Sequence, residues 1–95
     1  MTSMTRARTE TDAIIPPGEY LADELTAREM TQKELSERMG RPYQVINEIV
    51  RGKKAITART ALELEAVFET PAYIWMNLES EYQLAVERDR LRRTG

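Results

Sequence analysis

A chain of 95 residues with a formal charge of -2 has room for one small domain, which buries only about 60 to 65 % of the surface its unfolded chain exposes and so gains from a partner or a second copy. The absence of cysteine and histidine excludes disulfides, thiolate nucleophiles, the usual zinc ligands and an imidazole base, so no metal, no cofactor and no enzymatic role is expected. No apolar run approaches the roughly 20 residues that span a bilayer, and residues 1–12 lack the apolar segment of a leader, which fits a cytoplasmic protein with no membrane partner.

Residues 1–15 are rich in Thr, Arg and Ala, have little to bury and read as a flexible arm. An unstructured tail, a segment ordered by a protein partner and an arm touching DNA through Arg6 and Arg8 all fit that composition. A first helix is expected over about 17 to 28, with Tyr20, Leu21, Leu25 and Ala22 recurring as its inward stripe. Thr31 and Glu34 then spell a Thr-x-x-Glu capping box, so a second helix should begin at Gln32. It is short: Leu35 and Met39 face inward, Ser36 allows a close helix crossing, and Gly40 suits the left-handed position that ends it.

Pro42 fits the first turn of a third helix, where Val45, Ile46, Ile49 and Val50 supply the buried side and Gly52 the stop. Thr57 is expected to cap a fourth helix over about 58 to 68, packed through Ala61, Leu62, Leu64, Ala66, Val67 and Phe68. Thr70-Pro71 opens a last helix through Tyr73, Ile74, Trp75, Leu78, Tyr82, Leu84 and Ala85, leaving residues 87–95 as a charged, fraying tail. No stretch alternates with period two, so the expected fold is all-α: a compact five-helix domain over residues 16–86 between the arm and the tail.

Within it, residues 31–52 carry the functional signal. Two short amphipathic helices joined at Gly40 predict a helix-turn-helix at about 31–51, whose second helix offers a polar face to the DNA major groove. Such a recognition helix needs a fixed angle to its neighbour, and Leu35, Ser36, Met39, Gly40, Ile46 and Ile49 fall where that angle is set. Tyr43, Gln44, Asn47 and Glu48 are the expected base-reading residues. The Gln44 amide matches adenine N6 and N7, Tyr43 a thymine methyl or a phosphate, and Glu48 the cytosine N4 amine; Asn47 either does similar work or caps local backbone. Gln32 and Lys33 before the turn, and Arg51, Lys53, Lys54 and Arg59 after it, are expected to meet phosphate.

Charge is segregated to match. Residues 51–60 hold four bases and no acid, whereas residues 61–95 hold seven acids and four bases. One edge therefore suits phosphate and another a basic protein. Trp75, Leu78, Tyr82, Leu84 and Ala85 either close the core or form a symmetric dimer contact that sets two recognition helices about 34 to 36 Å apart.

The stretches Pro17-Gly-Glu-Tyr-Leu-Ala-Asp-Glu-Leu25, Thr31-Gln-Lys-Glu-Leu35, Ile46 to Leu62 and Phe68 to Leu78 resemble the HigA/VapI-type addiction-module antitoxins, small members of the XRE (lambda-repressor-like) helix-turn-helix family. The resemblance covers residues 16 to about 85, and its Asn-Glu-Ile-x-x-Gly-Lys-x-x-Ile-Thr and Trp-x-Asn-Leu motifs are more specific than the helix-turn-helix alone. It implies a lambda-repressor-like domain that dimerises, represses its own operon through double-stranded operator DNA, and neutralises a small basic RelE/HigB-like toxin that cleaves mRNA. By position, Gln32, Tyr43, Gln44, Glu48 and Arg51 match the DNA-facing places of that family. Two positions depart from it: Pro42 stands where a Ser or Thr usually caps the recognition helix, and Arg41 where the residue is usually apolar. The acids Glu19, Asp23, Glu24 and Glu29 are candidates to meet a basic ribonuclease. A stand-alone XRE-type regulator without a toxin is the alternative function, and a pure protein-interaction bundle a further one.

Overall fold

The computed structural model describes residues 14–94, and the five expected helices follow in chain order: α1 (Pro17–Ala27), α2 (Gln32–Met39), α3 (Tyr43–Val50), α4 (Ala58–Phe68) and α5 (Ala72–Thr94). The expected arm contacts through Arg6 and Arg8 lie outside the described residues. Among the described residues there is no strand, and no helix is long and apolar enough to cross a membrane.

Local chemistry explains the boundaries. The Thr31 hydroxyl accepts the Glu34 N–H at 3.0 Å while the Glu34 carboxylate accepts the Thr31 N–H at 2.8 Å, satisfying two donors that the start of α2 leaves open. Gly40, at φ 69, closes that helix in the left-handed region. Pro42 stands just outside α3 at its N-cap, one position before the first turn, and no side chain caps the helix there. Thr57 accepts the Thr60 N–H at 3.2 Å and starts α4.

The core gathers Leu21 and Leu25 of α1, Leu35 of α2, Ile46 and Ile49 of α3, Ile56 of the α3–α4 loop, Ala61, Leu64 and Phe68 of α4, and Trp75 of α5. α1 packs on α3 and α5, α2 on α3 and α4, and α4 on α5. Each large aliphatic side chain taken out of water contributes roughly 1.5 to 3 kcal/mol. Polar bonds between distant segments lock this arrangement. Arg28 donates from Nη2 to the Phe68 carbonyl at 2.9 Å with its guanidinium 4.7 Å from the Phe68 ring centre, tying the end of α1 to the end of α4.

Three expectations are corrected. Tyr20 is 43 % exposed and Leu62 59 % exposed, and Ala66 is also on the surface; the packed stripes of α1 and α4 are narrower than the apolar residues in those helices. The third correction concerns the C-terminus, where α5 continues as helix to Thr94 through the residues expected as a charged tail. Pairs one turn apart hold it: Glu87 with Arg90, Asp89 with Arg92 and Asp89 with Arg93. Arg92 and Arg93 also place positive charge at the negative end of the helix dipole.

Candidate nucleic-acid interface

At 3.6 residues per turn, Tyr43, Gln44, Asn47, Glu48 and Arg51 fall on one side of α3, while Ile46 and Ile49 fall on the other. The structure follows that division: both isoleucines are almost fully buried, Tyr43, Gln44 and Arg51 are exposed, and Asn47 and Glu48 are half-buried. The polar side chains thus stand on a rigid platform rather than on a loop.

The angle between α2 and α3 is set twice. Leu35, Ile46 and Ile49 share the core, and above them the Asn47 amide donates to Gln32 Oε1 at 3.1 Å. That bond occupies the Gln32 oxygen and leaves its amide nitrogen to donate outward from the first turn of α2. It also gives Asn47 a bracing role between the two helices. Beside it, Gln44 donates from Nε2 to Glu48 Oε2 at 3.4 Å.

Lys33 is exposed on α2, and Arg51, Lys53 and Lys54 are exposed where the chain leaves α3. Their backbone is ordered. Gly52 N–H donates to the Ile49 carbonyl at 3.0 Å and Lys53 N–H to the Glu48 carbonyl at 2.8 Å. Downstream, the Ile56 N–H donates to Glu79 Oε1 at 2.9 Å, and the other oxygen of that buried carboxylate accepts from Gln83 at 2.8 Å. Glu79 of α5 therefore holds the basic α3–α4 loop from beneath.

Arg59 reaches solvent but donates to Glu63 Oε2 at 3.1 Å, and the same carboxylate accepts from Arg41 at 2.7 Å on its other oxygen. Arg41, where the resemblance implies an apolar residue, is accommodated because α4 supplies this counter-charge. Among the acids of α1, Glu24 pairs with Arg28, and Glu29 follows the helix in the left-handed region at φ 56.

The structure splits the stripe expected on the last helix. Trp75 is buried and Leu78 packs against the core, whereas Leu84 is 50 % exposed. At about 100° per residue, the nine positions from Trp75 to Leu84 turn the helix to its opposite side, where exposed Tyr73 and Leu91 join it. Tyr82 and Ala85 take a third place. With Leu78 and Glu81 they line an open groove of about 200 Å³ against Tyr20, Ile14 and Ile15.

Sequence reasoning missed Glu79, the Arg41–Glu63 pair and Gly18, whose buried position lets α1 run onto the end of α3. For Glu79 a signal existed: a glutamate one turn after Trp75 lies on the apolar side of its helix, and a buried carboxylate must find donors.

Comparison with known proteins agrees with this geometry. A helix-turn-helix family model matches residues 21–75. Virulence-associated protein I of Dichelobacter nodosus is 37 % identical over 78 residues, spanning 80 % of this chain and 72 % of the relative. Among solved structures, the Pseudomonas aeruginosa antitoxin HigA with the higBA promoter superposes with a TM-score of 0.81 at 35 % identity, covering 86 % of this chain and 90 % of that one. A HigA-family addiction module antidote protein from Coxiella burnetii gives a TM-score of 0.80 at 32 % identity, covering 85 % and 89 %.

Proposed function

The chain belongs to the helix-turn-helix family, in the company of HigA-type antitoxins, and from that premise we propose that it is a type II antitoxin that binds operator DNA as a dimer, represses its own operon and neutralises a RelE/HigB-like ribonuclease by direct binding. The observation that carries the reading is the polar face of α3, braced on α2 by the Asn47–Gln32 bond and flanked by exposed Lys33, Arg51, Lys53 and Lys54. A related antitoxin of the same fold was solved with its promoter.

In this reading α3 enters the major groove. Tyr43, Gln44 and Glu48 face base edges, while Gln32, Lys33, Arg51, Lys53 and Lys54 fix the register on phosphate. Asn47 acts chiefly by orienting Gln32, and Arg59 joins the phosphate contacts by leaving its bond to Glu63. One domain makes few phosphate contacts, so two copies on a palindrome are required for useful affinity. The exposed side of α5, with Tyr73, Leu84 and Leu91, is the surface that a second copy covers. The unit that carries these roles is residues 16–86, with the rest of α5 extending the pairing surface.

The test is titration of the full chain into the DNA preceding its own gene and into unrelated duplex, at two salt concentrations, with co-expression of the adjacent open reading frame. A salt-sensitive shift specific to its own promoter, with a small basic protein co-purifying, is the expected result. Promoter binding without such a protein moves the assignment to a stand-alone regulator, and no sequence-dependent shift removes the DNA-binding reading.

A further inference from the structure

The two helices that enclose the groove beside Tyr82 carry charge of one sign. Helix α1 has Glu19, Asp23 and Glu24 and no base, and residues 72–86 of α5 have Glu79 and Glu81 and no base. Glu24 pairs with Arg28 and Glu79 is buried. Glu19, Asp23 and Glu81 are exposed and have no ion-pair partner among the described residues. Such a surface repels phosphate and attracts cations.

The shape of the groove narrows the choice of cation. Sites for small molecules and cofactors enclose about 300 Å³ or more, whereas this one offers about 200 Å³ and is open to solvent, which suits a single long side chain. Its lining divides by chemistry: Ile14, Ile15 and Leu78 are aliphatic, Tyr20 and Tyr82 aromatic, and Glu81 ionised. Arginine and lysine have the same division, an apolar stem ending in a charged head. The stem matches the aliphatic wall, and the head finds a carboxylate and two rings of the kind that attract cations to their faces. A purely apolar guest would instead desolvate Glu81 without pairing it.

Resting on the reading that the chain neutralises a ribonuclease by direct binding, we propose that the α1–α5 groove is where that partner is held: it takes one arginine or lysine side chain of a basic protein, with Glu81 as counter-ion and Tyr20 and Tyr82 beside the cation. Glu19 and Asp23, on either side of Tyr20 along α1, extend the negative field that steers the partner in. A second copy of this chain is a poorer source of the cation, because Arg90, Arg92 and Arg93 at the end of α5 already pair with Glu87 and Asp89. The groove shares no residue with the polar face of α3, so partner and operator are met by separate side chains.

The test is calorimetric titration of the full chain with the protein encoded by the adjacent open reading frame, for wild type, Glu81→Gln, Glu81→Lys and Tyr20→Leu, with an operator titration of each to check that the domain is intact. Glu81→Gln is expected to weaken partner binding about tenfold and Glu81→Lys further, and Tyr20→Leu about threefold, while operator affinity stays near wild type. Alanine replacement of the partner's arginines and lysines should find one whose effect disappears in the Glu81→Gln background. Unchanged partner binding in both Glu81 variants, or a parallel loss of partner and operator in all three, overturns the proposal and leaves the antitoxin reading standing. A halved mass of the Glu81→Lys chain alone in sedimentation assigns the groove to a second copy and also overturns it. A partner that does not bind the wild type overturns both.

Discussion

Gly18 lies so close to Ile49 that a Cβ built on it would stand 1.9 Å from the Ile49 carbonyl oxygen and 2.8 Å from that of Val50. The first turn of α1 is thereby pressed against the end of α3, backbone to backbone, and the glycine serves close approach rather than an unusual φ. Gly18→Ala must push α1 and α3 apart. A loss of about 3 kcal/mol is expected in urea unfolding, with amide shifts concentrated in residues 46–52. A stability within error of wild type would contradict the contact.

Glu79 anchors the basic loop through the Ile56 N–H. Glu79→Ala leaves that buried donor without a partner, which costs about 1 to 3 kcal/mol. Glu79→Gln retains an acceptor and should lose less. Hydrogen exchange of the Ile56 amide provides the local readout, and equal protection in all three proteins would contradict the assignment.

Reading and positioning separate by salt. Lys54→Ala is expected to weaken binding to all duplexes alike and to lower the salt slope by about 1, whereas Gln44→Ala relaxes preference at one step with the slope unchanged. Fluorescence anisotropy at several salt concentrations measures both. A Gln44→Ala variant that loses equally on every duplex would remove its reading role.

Pairing through α5 is testable without disturbing the core, because Leu84 and Leu91 are exposed. Leu84→Glu with Leu91→Glu is expected to halve the mass seen in sedimentation while thermal unfolding of the domain stays cooperative. An unchanged mass would place the second copy on another surface.

The end of α5 carries its own acid sensitivity. The Asp89 carboxyl titrates below its ordinary range, first because Arg93 donates a hydrogen bond to it; desolvation opposes this, and the charge of Arg93 with the hydrogen bond and charge of Arg92 keeps the balance downward. A carboxyl lowered in the folded helix stabilises it fully above the ordinary aspartate value and loses that contribution as pH falls through the lowered one. Far-UV circular dichroism should show part of the helicity lost in that acidic window, and Asp89→Asn should lack the step while having less helix at neutral pH.

The elements that short-range chemistry determines were legible in the chain. Thr31 with Glu34, Gly40 and Thr57 mark helix ends by bonds spanning three or four residues, and Leu35, Ile46 and Ile49 show their side by spacing alone. The contacts that orient the site were not. Gly18 against Ile49, Ile56 against Glu79 and Arg41 against Glu63 join residues more than 20 positions apart, and periodicity contains no information about which distant group answers a buried charge. The same limit explains Tyr20 and Leu62, apolar residues in helical register of which one borders an open groove and the other stands on the surface of α4. It also explains α5, where apolar residues on several sides of one helix read as a single stripe.

That arrangement of α5 sets the shape of the response. Under the pairing proposed above, a lone copy leaves Leu84 and Leu91 in water and carries one recognition helix, while a pair covers them and carries two. At concentrations where single copies dominate, operator occupancy then rises with the square of the amount of protein. A modest fall in the level of the chain would release its promoter abruptly rather than in proportion.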